Sequence, residues 1–171
     1  WDRKTPKLHF SDISAHQKFL IEKYGIDDEP STSHKEVFFD IECEMVSGLP
    51  DVKVANNELT SIALYDNASK EYVVLVMDKA GTMFEKRTEK ALVIPFRTEE
   101  ALCLKFLEIY ENINPDIITG WNIDGFDMPY IYNRLKRVLG EEHAKRLSPI
   151  GEAFYSPYRN RWFFAGVSVL D

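Results

Sequence analysis

A chain of 171 residues with 44% hydrophobic and 13% aromatic content is long enough for one domain with its own core, which excludes a disordered segment. No apolar run approaches the roughly 20 residues of a membrane span and the N-terminus has no apolar signal core, so the composition predicts a soluble, intracellular protein with no membrane partner. A formal net charge of −7 argues against nucleic-acid binding if taken as a sum, but residues 1–127 carry 14 Lys/Arg against 24 Asp/Glu, whereas residues 128–171 carry 7 against 4.

In chain order, residues 13–24 read as a short helix with Gly25 as its stop, and the GIDDEPSTSHK that follows has linker composition. Strand signals lie at 37–45, 59–65 and 72–77, the last two flanking DNASK, which is turn chemistry suited to a hairpin. KAGTMFEKRTEKA reads as a polar surface loop, and a short strand returns at 92–95. Thr98 is placed as the N-cap of a helix reaching about residue 112, with Leu102, Phe106, Ile109 and Ile113 at core spacing. NPDIITG predicts a turn and a short buried strand at 116–119. A second helix is expected at 128–140, with Ile131, Leu135, Val138 and Leu139 on its inner face. Two aromatic-rich segments around 156–160 predict a β-hairpin with a longer loop, followed by a final strand at 167–170. Antiparallel strands followed by alternating helices and strands give an α/β fold, a mixed sheet with helices packed on it. Cys43 and Cys103 form no metal or redox spacing and are expected as reduced thiols. The first residue is Trp1, which fits a piece of something longer.

Two places carry chemistry. In VFFDIECEMV, Asp40 and Glu42 fall on one face of a strand with Cα atoms about 6.5–7 Å apart. Such a pair resists burial unless a cation compensates it, and hard carboxylate oxygens suit Mg²⁺ or Mn²⁺. The plainer reading is a strand whose acidic face meets water. Glu44 extends the row near the strand end and is expected to be solvated. In TGWNIDGFDMPYI, Asp127 sits at a strand-to-helix junction, where it reads equally as a helix N-cap; Phe126 alone reads as core, and Asn122 and Gly125 alone as turn residues. Together, a strand pair and a lone Asp about 85 residues later supply three acids from two elements, a ligand set for a two-metal phosphodiesterase. An aromatic beside the third acid offers a stacking surface to a base. The basic end, with Arg134, Lys136, Arg137, Lys145, Arg146, Arg159 and Arg161, is either a solvated face or a phosphate-contacting patch.

At these residues the sequence resembles a known family. FFDIECE and TGWNIDGFDMPYI resemble the first and second exonuclease motifs of family B DNA polymerases. With RLSPIG and GVSVLD they are most similar to the replicative polymerases of large tailed bacteriophages. The resemblance runs from about residue 36 to 171 and implies a 3′–5′ proofreading exonuclease domain with a ribonuclease H-like fold and a protruding β-hairpin. Residues 1–35 are then part of a polymerase N-terminal domain or a linker. By the same resemblance, Asp40 bridges two Mg²⁺ or Mn²⁺ ions, Glu42 binds the ion that carries the nucleophilic water, and Asp127 holds the other. Asn122 and Phe126 help place the last nucleotides of a single-stranded primer 3′ end. Arg159 and Arg161, beside a hairpin that resembles the element separating primer from template, become candidate phosphate contacts. The family's third motif, Tyr-x-x-x-Asp, is missing. The expectation is therefore a C-terminally incomplete domain, either a truncated piece or one half of a split polymerase completed by a C-terminal polymerase chain, in the host cell's cytoplasm if phage-encoded. Its competitors are a non-catalytic DNA-binding or structural module of a replisome and a different ribonuclease H-like enzyme, such as an integrase or hybrid nuclease.

Overall fold

The computed structural model describes residues 13–25, 33–45 and 48–171, so residues 26–32 of the expected linker lie outside the described residues. The chain divides into two units, Trp1–Ser33 and His34–Asp171. In the first, helix α1 (Ala15–Tyr24) begins at Ser14, whose hydroxyl accepts from the Gln17 amide while the Gln17 side chain bonds back to Ser14. This reciprocal pair satisfies two amides that a helix start leaves open. Gly25 ends the helix with φ −65°, a conformation that does not require glycine.

The second unit is built on a seven-stranded sheet. Its strands are β1 (Glu36–Cys43), β2 (Leu59–Asp66), β3 (Glu71–Met77), β4 (Lys86–Arg87), β5 (Ala91–Phe96), β6 (Ile117–Thr119) and β9 (Ser168–Leu170), in spatial order β4-β5-β3-β2-β1-β6-β9. β1 pairs antiparallel with β2 and parallel with β6, so the sheet is mixed and β1 is interior, as the sequence pattern requires. The segment read as a polar loop does hold one short strand: β4 lies on the outer side of β5, two charged residues on a sheet edge that discourages further pairing.

Alternation along β1 turns Val37, Phe39 and Ile41 inward and leaves Phe38, Asp40 and Glu42 on the other face. The inward set meets α2 (Glu99–Ile113), where Phe39 and Phe106 lie 5.6 Å apart between ring centres. Thr98 caps α2 as expected, and Asn114 ends it in the left-handed conformation. α3 (Asp127–Leu139) adds Met128, Tyr130, Ile131 and Leu135 to the same core. After α4 (Glu141–Ala144) and a short 3₁₀ turn, β7 (Ala153–Ser156) and β8 (Arg161–Phe164) form a separate two-stranded hairpin before the chain returns as β9.

One member of the expected basic run is not on the surface. Arg134 is buried in α3; its Nε donates to Glu99 Oε1 at 2.7 Å and one Nη to the Ala55 carbonyl at 2.9 Å. Glu99 also accepts from the Leu59 amide at 2.8 Å. The pair joins α2, α3 and the start of β2, which is why an apolar-periodicity reading missed it: its two halves stand 35 residues apart. Removing one partner of such a pair costs about 3–5 kcal/mol, because the other charge is left buried. Asn133 and the Tyr130 hydroxyl donate to the Val52 and Asn57 carbonyls, so α3 is strapped to the β1–β2 connection by three polar side chains.

Candidate active site

β6 runs beside β1 for only three pairs, Glu36 with Ile117 to Phe38 with Thr119. Beyond that point no strand among the described residues pairs with β1 on this side. The chain turns away at Gly120, where a Cβ would collide with the Phe39 carbonyl oxygen, so only glycine lets the turn lie this close to β1. Asn122 takes φ +53°, and its carbonyl accepts from the amides of Gly125 and Phe126 at 3.1 and 2.9 Å. Ile123 is fully buried and anchors the turn.

Asp127 is not the helix cap. Phe126 holds the N-cap position and gives no side-chain cap bond, while Asp127 is the first helical residue. Its carboxylate leaves the helix and Oδ1 accepts the Ile41 amide at 3.1 Å. It therefore takes the backbone donor that β6 does not reach. Ile41 lies between Asp40 and Glu42, so the three acids share one neighbourhood: Asp40 and Glu42 on one exposed face of β1, Asp127 on the backbone between them.

The electrostatics follow from this placement. Asp127 is 4% exposed. Burial pushes its carboxyl up to about 6; the Ile41 amide pulls it down, and the charges of Asp40 and Glu42 push it up again. Negative charge here is under-compensated. The three candidate donors are carboxylates, whose hard oxygens are the chemistry that a divalent cation of the Mg²⁺ type takes. Cys43, next along β1, has its thiol pushed up to about 11 by burial and is no competing ligand. Among the described residues, no three His, Cys, Asp or Glu side chains stand close enough together to hold a metal ion as they are. Glu44 lies beyond the end of β1 and is exposed, as expected.

The residues expected to hold DNA are differently disposed. Asn122 is exposed in the turn. Phe126 is half-buried and stacked on Tyr130, 5.4 Å between centres at 25°. Trp121, to which the sequence reading gave no role, is 93% exposed and lines a groove of about 230 Å³ with Phe38, Asp40, Tyr65 and Tyr72. Trp121 sits between Gly120 and Asn122, whose φ is +53°, a backbone geometry that residue type alone does not announce. Arg159 lies over the Phe163 ring at 5.6 Å. Arg161 is held by Asp124, with a closest N–O distance of 2.9 Å. Lys136, Lys145 and Arg146 pair with Glu141, Glu142 and Glu111, so of the basic run only Arg137 and Arg159 lack an ion pair among the described residues.

Residues 10–160 match the family described as DNA polymerase family B, exonuclease domain. The chain is 31% identical over 160 residues to the DNA-directed DNA polymerase of Escherichia phage RB69, an alignment covering 78% of this chain and 18% of that protein. With the DNA-directed DNA polymerase of Enterobacteria phage T4 the identity is 39% over 151 residues, covering 71% and 17%. The DNA polymerase delta catalytic subunit of Dictyostelium discoideum is 26% identical over 125 residues, covering 69% and 11%. The chain thus spans less than a fifth of the length of these relatives.

The raised pKa of Asp127 has a consequence for stability. A carboxyl raised from 3.8 to about 6 by folding contributes stability that is complete below pH 3.8 and is lost as the pH rises through 6. Without divalent ions, Asp127→Asn removes that loss while Asn Oδ1 still accepts the Ile41 amide. The variant is expected to match the parent chain near pH 4 and to exceed it by about 1–2 kcal/mol at pH 7.5, allowing for solvent screening. Urea denaturation at both pH values checks this; a less stable variant at pH 7.5 contradicts it.

Proposed function

The chain belongs to the exonuclease-domain family of family B DNA polymerases, and from that premise we propose that it is the 3′–5′ exonuclease portion of such an enzyme, hydrolysing phosphodiesters at single-stranded DNA 3′ ends. The observation that carries the reading is Asp127 Oδ1 on the Ile41 amide, which supports a third carboxylate near the Asp40–Glu42 pair. Asp40, Glu42 and Asp127 would hold Mg²⁺ or Mn²⁺. When bound, a pair of such ions stabilises charge on the attacking and leaving oxygens and makes a bound water more acidic.

The chain's own residues do the rest. The Ile41 amide fixes the direction of the Asp127 carboxylate, and the α3 straps tie the helix to the β1–β2 connection. Trp121 gives an unstacked base a face to lie on beside Asp40, with the half-exposed rings of Phe38 and Tyr72 along the same groove. Asn122 and Phe126 follow Trp121 in the same turn, and Arg159 offers a cation without a carboxylate partner among the described residues. A duplex end keeps its bases stacked on one another, so this arrangement favours a frayed single strand. Completion by a further segment or a C-terminal polymerase chain is part of the proposal, since three acids do not fill the coordination of two ions.

A second reading, a non-catalytic DNA-binding module, is favoured by one observation: no metal-holding group is gathered among the described residues. Mixing the chain with candidate C-terminal polymerase segments, Mg²⁺ and a 5′-labelled oligothymidine separates the two. Stepwise mononucleotide release from the 3′ end that falls at least about 10³-fold in Asp40→Ala is expected. Binding without release in every mixture would instead support the module.

Trp121→Ala is expected to weaken oligothymidine binding about tenfold with the melting temperature unchanged, because an exposed ring contributes to stacking and not to the core. Fluorescence anisotropy in EDTA measures it, and unchanged affinity removes Trp121 from the binding surface.

A further inference from the structure

The hairpin β7–β8 has a sheet of its own, and a two-stranded ribbon is marginal by itself. Its position depends on what it rests against. On one side Trp162 lies 4.4 Å from Tyr132 of α3, centre to centre, and Phe164 meets the same ring at 6.0 Å. The hairpin also borders a cavity of about 480 Å³ lined by Asp124, Gly125, Pro129, Tyr155, Arg161 and Trp162. Across that cavity one polar link reaches the turn. Arg161 Nη2 donates to Asp124 Oδ1 at 3.1 Å and to the Val169 carbonyl of β9 at 3.0 Å, and the guanidinium lies over Phe163 at 5.4 Å.

Asp124 is three residues before Asp127, in the same turn as Trp121, Asn122 and Phe126. Arg161 was expected to contact phosphate, but its charge is already met by Asp124, and its Nη2 donates to two elements of the domain while Nε is buried without a partner. We infer that Arg161 is a positioning residue: through Asp124 it ties the hairpin to the turn that holds the substrate-facing side chains, so that displacement of the hairpin moves that turn. The inference rests on the proposed function and adds to it a mechanical link between the hairpin and the active site. The two partners stand 37 residues apart on different elements, so the link closes a loop and restrains both ends.

The sign of one variant distinguishes a tether from a phosphate ligand. If Arg161 were a phosphate ligand, Asp124→Ala would free it and tighten DNA binding. As a tether, Asp124→Ala and Arg161→Ala each release the turn and each weaken binding. The experiment compares the full chain with Asp124→Ala, Arg161→Ala, the double variant and the exchanged pair Asp124→Arg with Arg161→Asp. Hydrogen exchange of residues 121–127 and the affinity for a labelled oligothymidine are measured well below the melting temperature. We expect exchange in this turn to rise about tenfold and affinity to fall about fivefold in either single variant. The double variant should be no worse than the singles, the exchanged pair should recover at least half of both effects, and exchange in β1–β3 should not change. Tighter binding by Asp124→Ala, or unchanged exchange in the turn, overturns the tether. If the parent chain binds no oligothymidine, the functional reading fails while the exchange measurement still decides the link. Should Asp124→Ala not fold, Asp124→Asn, which keeps an acceptor and removes the charge, takes its place with the same expected directions.

Discussion

Three residue pairs are all that β6 contributes to β1, and the next free amide on that side belongs to Ile41. An unmet backbone donor inside a protein costs about 1–3 kcal/mol, so something has to accept it. Asp127 does, from 86 residues away. That single bond ties the start of α3 to β1 just past the end of β6 and fixes the Asp127 carboxylate on the strand. It also forces a buried carboxyl against two others. Burial and the neighbouring charges of Asp40 and Glu42 disfavour ionised Asp127, and a divalent cation held there would offset that. The backbone requirement and the chemical one meet in the same side chain.

The charge distribution shows the same economy. A basic C-terminal region looks like a surface for phosphate, yet Arg134, Lys136, Lys145, Arg146 and Arg161 are each matched to a carboxylate of the same chain. Arg134 is the extreme case, enclosed with Glu99 between two helices. Exposed pairs of this kind contribute about 0–1 kcal/mol each, so their main effect is to lower the field that the region presents to a polyanion. The proposed attraction for DNA would then depend on stacking surfaces and a few unpaired cations more than on net charge. The exposed Trp121 and the aromatic wall of its groove fit that balance, and so does a chain of net charge −7.

Local signals were legible and non-local ones were not. The alternation in VFFDIEC gave the interior strand with its acidic face, Thr98 gave the start of α2, and DNASK gave the β2–β3 turn, where the Asp66 carboxylate accepts from the Ala68 amide. Each depends on residues within a few positions of one another. Asp127 looked like a cap because Asp before a helix usually is one; the Ile41 amide outcompeted its own helix, and that partner is visible only once β6 is known to stop. Arg134 read as a surface residue because nothing near it in sequence announces Glu99. Phe126 read as a stacking surface for a base, whereas Tyr130, one turn later, already covers part of it. Trp121 was quoted inside its motif and left without a role, because its exposure follows from backbone geometry at Gly120 and Asn122 that residue type alone does not give.

The account turns on Asp127 being seated between Asp40 and Glu42 as an under-compensated carboxyl. Carbon-13 NMR titration of the Asp127 carboxyl reads this directly. The account predicts a midpoint near 6 without divalent ions, a lower midpoint in Asp40→Asn, and a fall of more than one pH unit on adding Mg²⁺. A midpoint at the ordinary 3.8, indifferent both to Asp40→Asn and to Mg²⁺, would contradict it.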